Sequence, residues 1–354
     1  MVQAVSDICG VHAQVAASAE LMLGLRVRGI TREDVRDALW RRRTLVKTVG
    51  LRGTLHVLPA EEVPTWMAAN RLRFDSERQR YARLGVDVPN LDRLVDAISE
   101  AVGPEPIDRP TLERELEARI GKWATTRNQA WAGNYPNWPL AVGWAAAMGR
   151  VCYGPGQGGR ATFVSLAGWS GWREEDPHEA GRFALKRFLS AYGPSTAAEF
   201  ARWFALEPPL ARHMFAESQD LVEVDVEGSH RWMPAADANE AESAHPKAVH
   251  LLPHFDVFVV GSHPRDQLIP RESPLAATRL GTAAPFAVLL VGGRVGGVWE
   301  RKPVGKNLKI RVDAHVPLSR DQRRSVEAQA ERVADILGLG CQLEFGAVTL
   351  KRHL

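Results

Sequence analysis

The stretch ITREDVRDALWRRR (Ile30–Arg43), followed shortly by LRGTLHVL (Leu51–Leu58), decides how the chain is read. Thr31 and Asp34 stand in capping-box spacing, and Val35, Ala38 and Leu39 then recur at helical intervals. A helix is expected. LRGTLHVL switches to period two, which as a strand puts Leu51, Gly53, Leu55 and Val57 on one face and Arg52, Thr54 and His56 on the other. A helix running into a strand with one polar face is the unit from which the rest of the reading is built.

Similar orders recur downstream. From Pro110 to Leu166 come a helix with Leu112, Leu116 and Ile120 in line, a second helix at WPLAVGWAAAMG, and a hairpin, GRVCYG and RATFVSL around GPGQGG. From Arg182 to Trp232 come FALKRFLSAYG, a helix AAEFARWFA capped by Thr196 and Glu199, then PPLARHMFAE, and a hairpin of LVEVDV and RWM around EGSH. Helices followed by a hairpin form the winged-helix plan, in which a helix-turn-helix core docks on DNA and the hairpin supplies a wing, although such units also serve as protein-interaction modules. AADANEAESAHP reads as a linker, because it is acidic and lacks large apolar residues. Beyond it VHLLP, FDVFVVG, PFAVLLVG, VGGVWE, LKIRV and CQLEFGAVTL read as strands, with one helix capped by Ser319 and Gln322. The expected fold class is α+β, three tandem winged-helix units followed by a β-barrel-like C-terminal domain. The expected divisions are 1–105, 106–176, 177–236, a linker at 237–247, and 248–354.

Composition limits the function classes. With 45% hydrophobic and 25% charged residues, and no run near the roughly 18 to 20 apolar residues of a membrane span, a soluble globular protein is expected. MVQAVSDICG lacks the basic flank and apolar core of a secretory signal, so the expected location is the cytoplasm, associated with the nucleoid when bound to DNA. Cys9, Cys152 and Cys341 are far apart and without metal-ligand spacing, which predicts free core thiols and no structural zinc. Trp138, Trp144, Trp203 and Trp299 sit in apolar patterns that core packing explains. The net charge of +3 does not by itself announce a nucleic-acid ligand. Its distribution is more telling: Arg41–His56 carries five basic residues and no acidic one, and Arg301–Arg311 repeats the imbalance.

Near the start, GVHAQVAAS (Gly10–Ser18) sets a histidine and a glutamine two positions apart. Gly10 reads as the stop of a short helix and AASAELMLGL as the next helix, so VHAQ lies on the connection. On a helix, residues two apart point about 200° away from each other, so His12 and Gln14 cooperate only where the chain is extended. Spacing alone favours a structural role, hydrogen bonding at a helix junction. No Ser/His/Asp set, phosphate-cradling loop or metal cluster stands out elsewhere, and GGRVGG (Gly292–Gly297) reads as a turn between strands.

HAQ at His12–Gln14, RGTLH at Arg52–His56, YGPSTAAEFARW at Tyr192–Trp203 and LLPHFDVFVVG at Leu251–Gly261 resemble, in that order, the AlkZ and YcaQ family of bacterial DNA glycosylases, through almost the whole chain. The resemblance implies three winged helices forming a concave basic surface for duplex DNA and a C-terminal β-barrel. It also implies a catalytic motif of two polar residues around an apolar one, most often Gln-x-Gln or Gln-x-Asp, onto which His12 and Gln14 fall. Histidine departs from the usual leading glutamine. Family members usually carry more helix before the motif, which implies a truncated or late-assigned start.

The implied activity is a monofunctional N-glycosylase that directs water at the anomeric carbon of a damaged nucleotide, needs no cofactor and leaves an abasic site. Gln14 can hold water through its amide carbonyl but is no base, whereas a histidine with an ordinary pKa of about 6.5 can donate a proton or orient water. Alkylated purines and hypoxanthine both stay open as substrates. The first lysine is Lys47, which disfavours a Schiff-base lyase. The expected partner is double-stranded DNA containing a damaged base, bound by a monomer through Arg42, Lys47, Arg52, Thr54 and His56 and through Lys306, Lys309 and Arg311. Two other readings are a non-catalytic winged-helix regulator with a preferred symmetric site, and an interaction scaffold that binds no DNA.

Overall fold

The first reversal of the chain sets the site's starting strand. In the computed structural model, which describes residues 1–83, 88–130, 133–168, 171–238, 248–271, 273–276 and 286–349, helix α1 (Val2–Asp7) is followed by Cys9 and Gly10 at φ values of 60° and 89°. The chain then turns into the short strand β1 (Val11–His12). Gly10 is needed for two reasons: side chains resist that left-handed φ, and a Cβ would lie 2.5 Å from Leu58 Cδ2. Helices α2 (Ala16–Arg26) and α3 (Arg32–Trp40) follow, the second with the expected capping box between Thr31 and Asp34.

Next comes a correction. The strand expected over Leu51–Leu58 is only β3 (Leu55–Pro59), paired antiparallel with β2 (Leu45–Val49), a strand the alternation did not reveal. Leu51–Gly53 is a single 3-10 turn with Arg52 at φ 56°, closed by Gly50 N–H on the Thr54 carbonyl at 2.9 Å. Period two ran on through the turn because Leu51 is buried as a turn residue, not as a strand residue.

Helices α4 (Val63–Arg71), α5 (Phe74–Arg83) and α6 (Val88–Ala101) lead to β4 (Ile107–Asp108) and α7 (Arg109–Ile120). A small hairpin, β5 (Arg127–Ala130) and β6 (Gly133–Pro136), precedes α8 (Trp138–Ala147), β7 (Val151–Gln157) and β8 (Arg160–Ser165). The two larger hairpins fuse. Lys47 pairs with Tyr153, giving one six-stranded sheet in the order β1-β3-β2-β7-β8-β4.

Helices α9 (Pro177–Tyr192), α10 (Ala197–Phe204) and α11 (Pro208–Glu217) run into the hairpin β9 (Leu221–Val226) and β10 (Ser229–Pro234), in the expected order and with the Thr196/Glu199 box. Residues 239–247, most of the expected linker, lie outside the described residues. Beyond them come β11 (Val249–Leu252), α12 (Val257–Gly261), α13 (Arg265–Leu268), β12 (Val288–Val291), β13 (Arg294–Val304), β14 (Asn307–Ala314), α14 (Arg320–Leu337) and β15 (Gly340–Phe345). The five strands form a curled half-barrel sheet in chain order. It is an open sheet rather than a closed barrel, since β11 and β15 do not pair with each other. β15 runs parallel to β14, as a crossover through α14 demands.

FDVFVVG is the second correction: Val257–Gly261 is a helix, not a strand. Asp256 caps it by accepting from Phe258 N–H at 3.0 Å, and a capped end overrides the β preference of three valines. Among the described residues no helix is long and apolar enough to cross a membrane.

The cores join distant segments. Cys9, Leu58 and Trp66 pack with Phe188, Phe200 and Phe204; Leu21 packs with Leu251, Ile310 and Val333; and Val257 joins Val11, Met22 and Val57. Trp138, Trp144, Trp203 and Trp299 are all buried, as expected. Of the three free cysteines, Cys9 and Cys152 are buried and Cys341 only partly so.

A buried ion pair locks the C-terminal segment to α2. Arg26 donates from both terminal nitrogens to Asp256, at 2.8 and 2.9 Å, and Asp256 is fully buried. Removing one partner of such a pair leaves an uncompensated charge, at a cost of about 3 to 5 kcal/mol. Asp256→Ala is therefore expected to lose about that much in urea denaturation, and Asp256→Asn, which keeps the cap acceptor, to lose less. A loss below about 1 kcal/mol in Asp256→Ala would show that the pair does not hold these segments together.

Candidate active site

The β1-β3-β2 ladder builds the site. His12 lies opposite His56, and His56 opposite Thr48, so the three side chains form a row across one face of the sheet. His12 is only 6% exposed. Phe255 stacks on its ring at 5.4 Å between centroids and 24° between planes, and His56 meets it edge-on at 5.3 Å and 76°. His56 Nδ1 is 3.0 Å from the Thr54 carbonyl, which can only accept, so Nδ1 carries the proton and Nε2 is left as an acceptor. Gly50 leaves room for this ring, since a Cβ there would lie 3.1 Å from the His56 Cβ.

Burial makes both histidines reluctant to ionise. The His12 pKa is pushed down to about 4, first by burial and then by the nearby Arg52, and that of His56 falls well below its ordinary value for the same reasons, with His12 adding to the effect. His12 is thus uncharged at neutral pH. His12 Nδ1 and Thr48 Oγ1 are buried polar atoms with no partner among the described residues. Such atoms are costly to leave unsatisfied, and they cluster where a substrate or water completes them.

Ala13 N–H bonds the Leu55 carbonyl at 2.7 Å, carrying the ladder one residue past β1. Val15, which precedes α2, is also extended. The strand ends at His12 and the chain bends at Gln14 before α2, so His12 is held in extended chain while Gln14 lies exposed on the bend that follows it. Neither side chain caps α1 or α2.

The four sequence motifs meet here. Arg52 donates to the Trp203 carbonyl at 2.7 Å, its guanidinium over that indole. Tyr192 donates to the Ile8 carbonyl at 3.1 Å, and a Cβ on Gly261 would lie 2.5 Å from the Tyr192 ring, so α12 docks closely on α9. Phe255, at φ 59°, comes from the loop that Asp256 anchors to Arg26. Sequence reasoning quoted that loop without giving Phe255 a role; an aromatic beside a capping aspartate was the only signal.

The expected DNA contacts separate. His56 is 1% exposed and stands beside His12 in the same row. Thr54 Oγ1 is taken by the Leu51 carbonyl at 3.0 Å. Lys47 shares a row with Val57, on the face of the sheet opposite His12, and lies over Tyr153. Arg42 pairs with Asp37. In the second basic stretch Lys309 pairs with Glu344 at 3.0 Å and Arg311 with both Glu344 and Glu300, so these two cations are met by acids on β13 and β15. Lys306 is exposed in the β13–β14 turn. Of the eight, Arg52 alone approaches His12 closely enough to lower its pKa.

Comparison with known proteins agrees with this convergence. An AlkZ-like DNA glycosylase family model matches residues 5–336. The chain is 30% identical over 307 residues to an interstrand DNA cross-link repair glycosylase of Streptomyces sahachiroi, covering 84% of this chain and 81% of the relative. It is also similar to the solved structure of the Streptomyces sahachiroi DNA glycosylase AlkZ, with a TM-score of 0.81 and 28% identity over 97% of this chain and 92% of that one. A match that runs through all four converging motifs, on the same fold, makes this chain a member of the AlkZ-like DNA glycosylase family, an enzyme of DNA repair.

Proposed function

We propose that this enzyme is a monofunctional glycosylase that excises purines alkylated at a ring nitrogen from duplex DNA, with His12 and Gln14 handling the attacking water. The observation that carries the reading is His12 held in β1 two residues before the exposed Gln14, uncharged and with its Nδ1 unpartnered among the described residues. Water held by the Gln14 carbonyl and a His12 nitrogen attacks the anomeric carbon as the bond to the base breaks. The electron pair of that bond goes to the base, and the water proton passes to solvent. A ring-alkylated purine carries positive charge and leaves as a neutral base, so no acid is needed. Hypoxanthine leaves readily only when protonated, and a histidine with a pKa near 4 is a poor donor at neutral pH. The similar Streptomyces sahachiroi protein, an interstrand DNA cross-link repair glycosylase, fits the same chemistry, since a cross-link through ring nitrogens is a doubly alkylated pair of bases.

Lysine chemistry is disfavoured, because Lys47 lies on the opposite face of the sheet from His12. The product is therefore an abasic site in an intact strand. The partner is damaged duplex DNA, bound by a monomer. The helix and hairpin units of the first three segments act as winged helices on its surface, and Lys306 in its exposed turn reaches a phosphate.

The test is single-turnover base release from duplexes carrying 7-methylguanine or hypoxanthine. Gln14→Ala and His12→Ala are each expected to slow 7-methylguanine release by roughly 100-fold or more while DNA binding is retained, the scale of losing one preorganised group at a developing charge. Faster release of hypoxanthine than of 7-methylguanine would refute the substrate assignment.

The pH dependence follows from His12 and the Arg52, His56 and Phe255 that face it. With a pKa near 4, His12 is neutral throughout pH 6 to 8, so the wild-type rate is expected to be flat there and to fall only as pH drops toward 4. A sigmoid centred between pH 6 and 7 would show instead that His12 titrates at the ordinary value and works as an acid.

A further inference from the structure

Beside the His12 row, three guanidinium groups come together without a carboxylate among them. Arg52 is tied to the Trp203 carbonyl, and Arg202 precedes Trp203 on the exposed side of α10. Arg265 reaches the same region from the other side. Gly261 seats α12 against Tyr192, and Arg265 donates to the Val259 and Val260 carbonyls at the end of that helix. Among the described residues none of Arg52, Arg202 and Arg265 has an ion-pair partner. Elsewhere the arginines near active-site elements are matched: Arg26 with Asp256, Arg231 with Glu199, and Arg187 with Glu62. Glu199, the nearest acid to the group, is committed to Arg231 through both oxygens.

The group also contains polar atoms with nothing to bond. Arg265 Nε and His263 Nδ1 are buried and unpartnered. The guanidiniums act on each other and on the imidazole: Arg52 and Arg265 are both depressed to about 10, first by burial, and His263 to about 4, by burial and then by Arg265 and Arg202. Half-buried like charges without a counter-ion are unfavourable, and a fixed fork of N–H donors matches an oxyanion. Among the described residues nothing supplies the balancing charge, and a bound anion would supply it.

We infer that Arg52, Arg202 and Arg265, with His263, form a binding site for one backbone phosphate of the DNA strand that carries the lesion, next to the nucleotide presented to His12 and Gln14. This deepens the glycosylase reading and rests on it. The phosphate would be held by Arg202 and Arg265 Nε from opposite sides, with His263, in its Nδ1–H form, as a further donor. A phosphodiester fixed there sets the sugar's distance from the motif, and its negative charge lies close to the anomeric carbon where positive charge develops. Arg202, Arg265 and His263 are thus positioning residues rather than catalytic ones.

The experiment is binding of the full chain to duplexes containing a tetrahydrofuran abasic-site analogue, with single linkages around it replaced in turn by uncharged methylphosphonates. Wild type is expected to lose about tenfold in affinity for one neutral linkage beside the analogue. Arg202→Ala and Arg265→Gln are expected to lose a similar factor on the all-phosphate duplex, to be insensitive to that same neutral linkage, and to bind with a salt slope shallower by about 0.9. Arg202 is exposed and makes no internal bond, so its variant tests the site without risk to the fold, while thermal melting checks Arg265→Gln. Variants that respond to every neutral linkage as wild type does would overturn the site, and so would affinity lost equally on the undamaged duplex. Binding is read without base release, so a wild-type enzyme that bound as described but excised neither base would refute the glycosylase substrate reading and not the phosphate site.

Discussion

The pairing of Arg26 with Asp256 is the constraint on which the active site depends. It joins the last turn of the helix that follows His12 and Gln14 to a residue 230 positions later, with both carboxylate oxygens engaged and one of them also capping α12. A buried charge tolerates few alternative partners, so the pair admits one arrangement of the two segments. That arrangement brings Phe255 onto the ring of His12 and seats α12 against Tyr192. Other contacts of the C-terminal segment with the N-terminal helices are the apolar packing of Leu21 and Val257 and the bonds of Arg332 on α14 to the Gly24, Val27 and Ile30 carbonyls, and none of these holds the loop that carries Phe255.

The electrostatics of the site form a consistent whole. In the proposed reaction a neutral histidine and a neutral amide face the place where a sugar becomes cationic, and the permanent charges of Arg52 and Arg265 nearby are guanidiniums. Taken alone, that surrounding would repel both a cationic base and a cationic transition state. With phosphates bound, the guanidiniums are neutralised and the nucleic acid itself provides the negative charge that the motif lacks. The site is complete only with its substrate. This accounts for the buried unpartnered atoms at His12, Thr48, His263 and Arg265.

Much of the local structure was legible. The capping boxes at Thr31, Thr196 and Ser319 each start the helix that their spacing announced, because a capping box depends on residues within one turn and on nothing remote. The hairpins at Gly158–Gly159, Glu227–Gly228 and Gly292–Gly293 were likewise read from glycines that supply left-handed turns. Errors came where a distant partner decides. Leu51–Gly53 alternates like a strand, yet it turns so that Arg52 can reach Trp203. Val257–Gly261 has strand composition, yet Asp256 makes it a helix.

His12 and Gln14 could be named from the sequence as a pair, with the proviso that they cooperate only on extended chain. What holds His12 in extended chain is the ladder from β1 to β3, whose partner lies more than forty residues away, and the chain bends at Gln14 directly after it. The basic runs show the opposite failure. Charge counted along the chain treats Lys309 and Arg311 as available cations, whereas pairing across β13, β14 and β15 sets Glu300 and Glu344 beside them. Meanwhile Arg202 and Arg265, unremarkable in sequence, have no ion-pair partner among the described residues. By itself the sequence determined most helices, the turns and the family, and it nominated the two residues proposed for the reaction centre, since these depend on local spacing and on motifs kept in order. Only the tertiary structure decided which charges remain unneutralised and which histidines remain uncharged, because pairing and burial depend on neighbours that are close in space and remote in the chain.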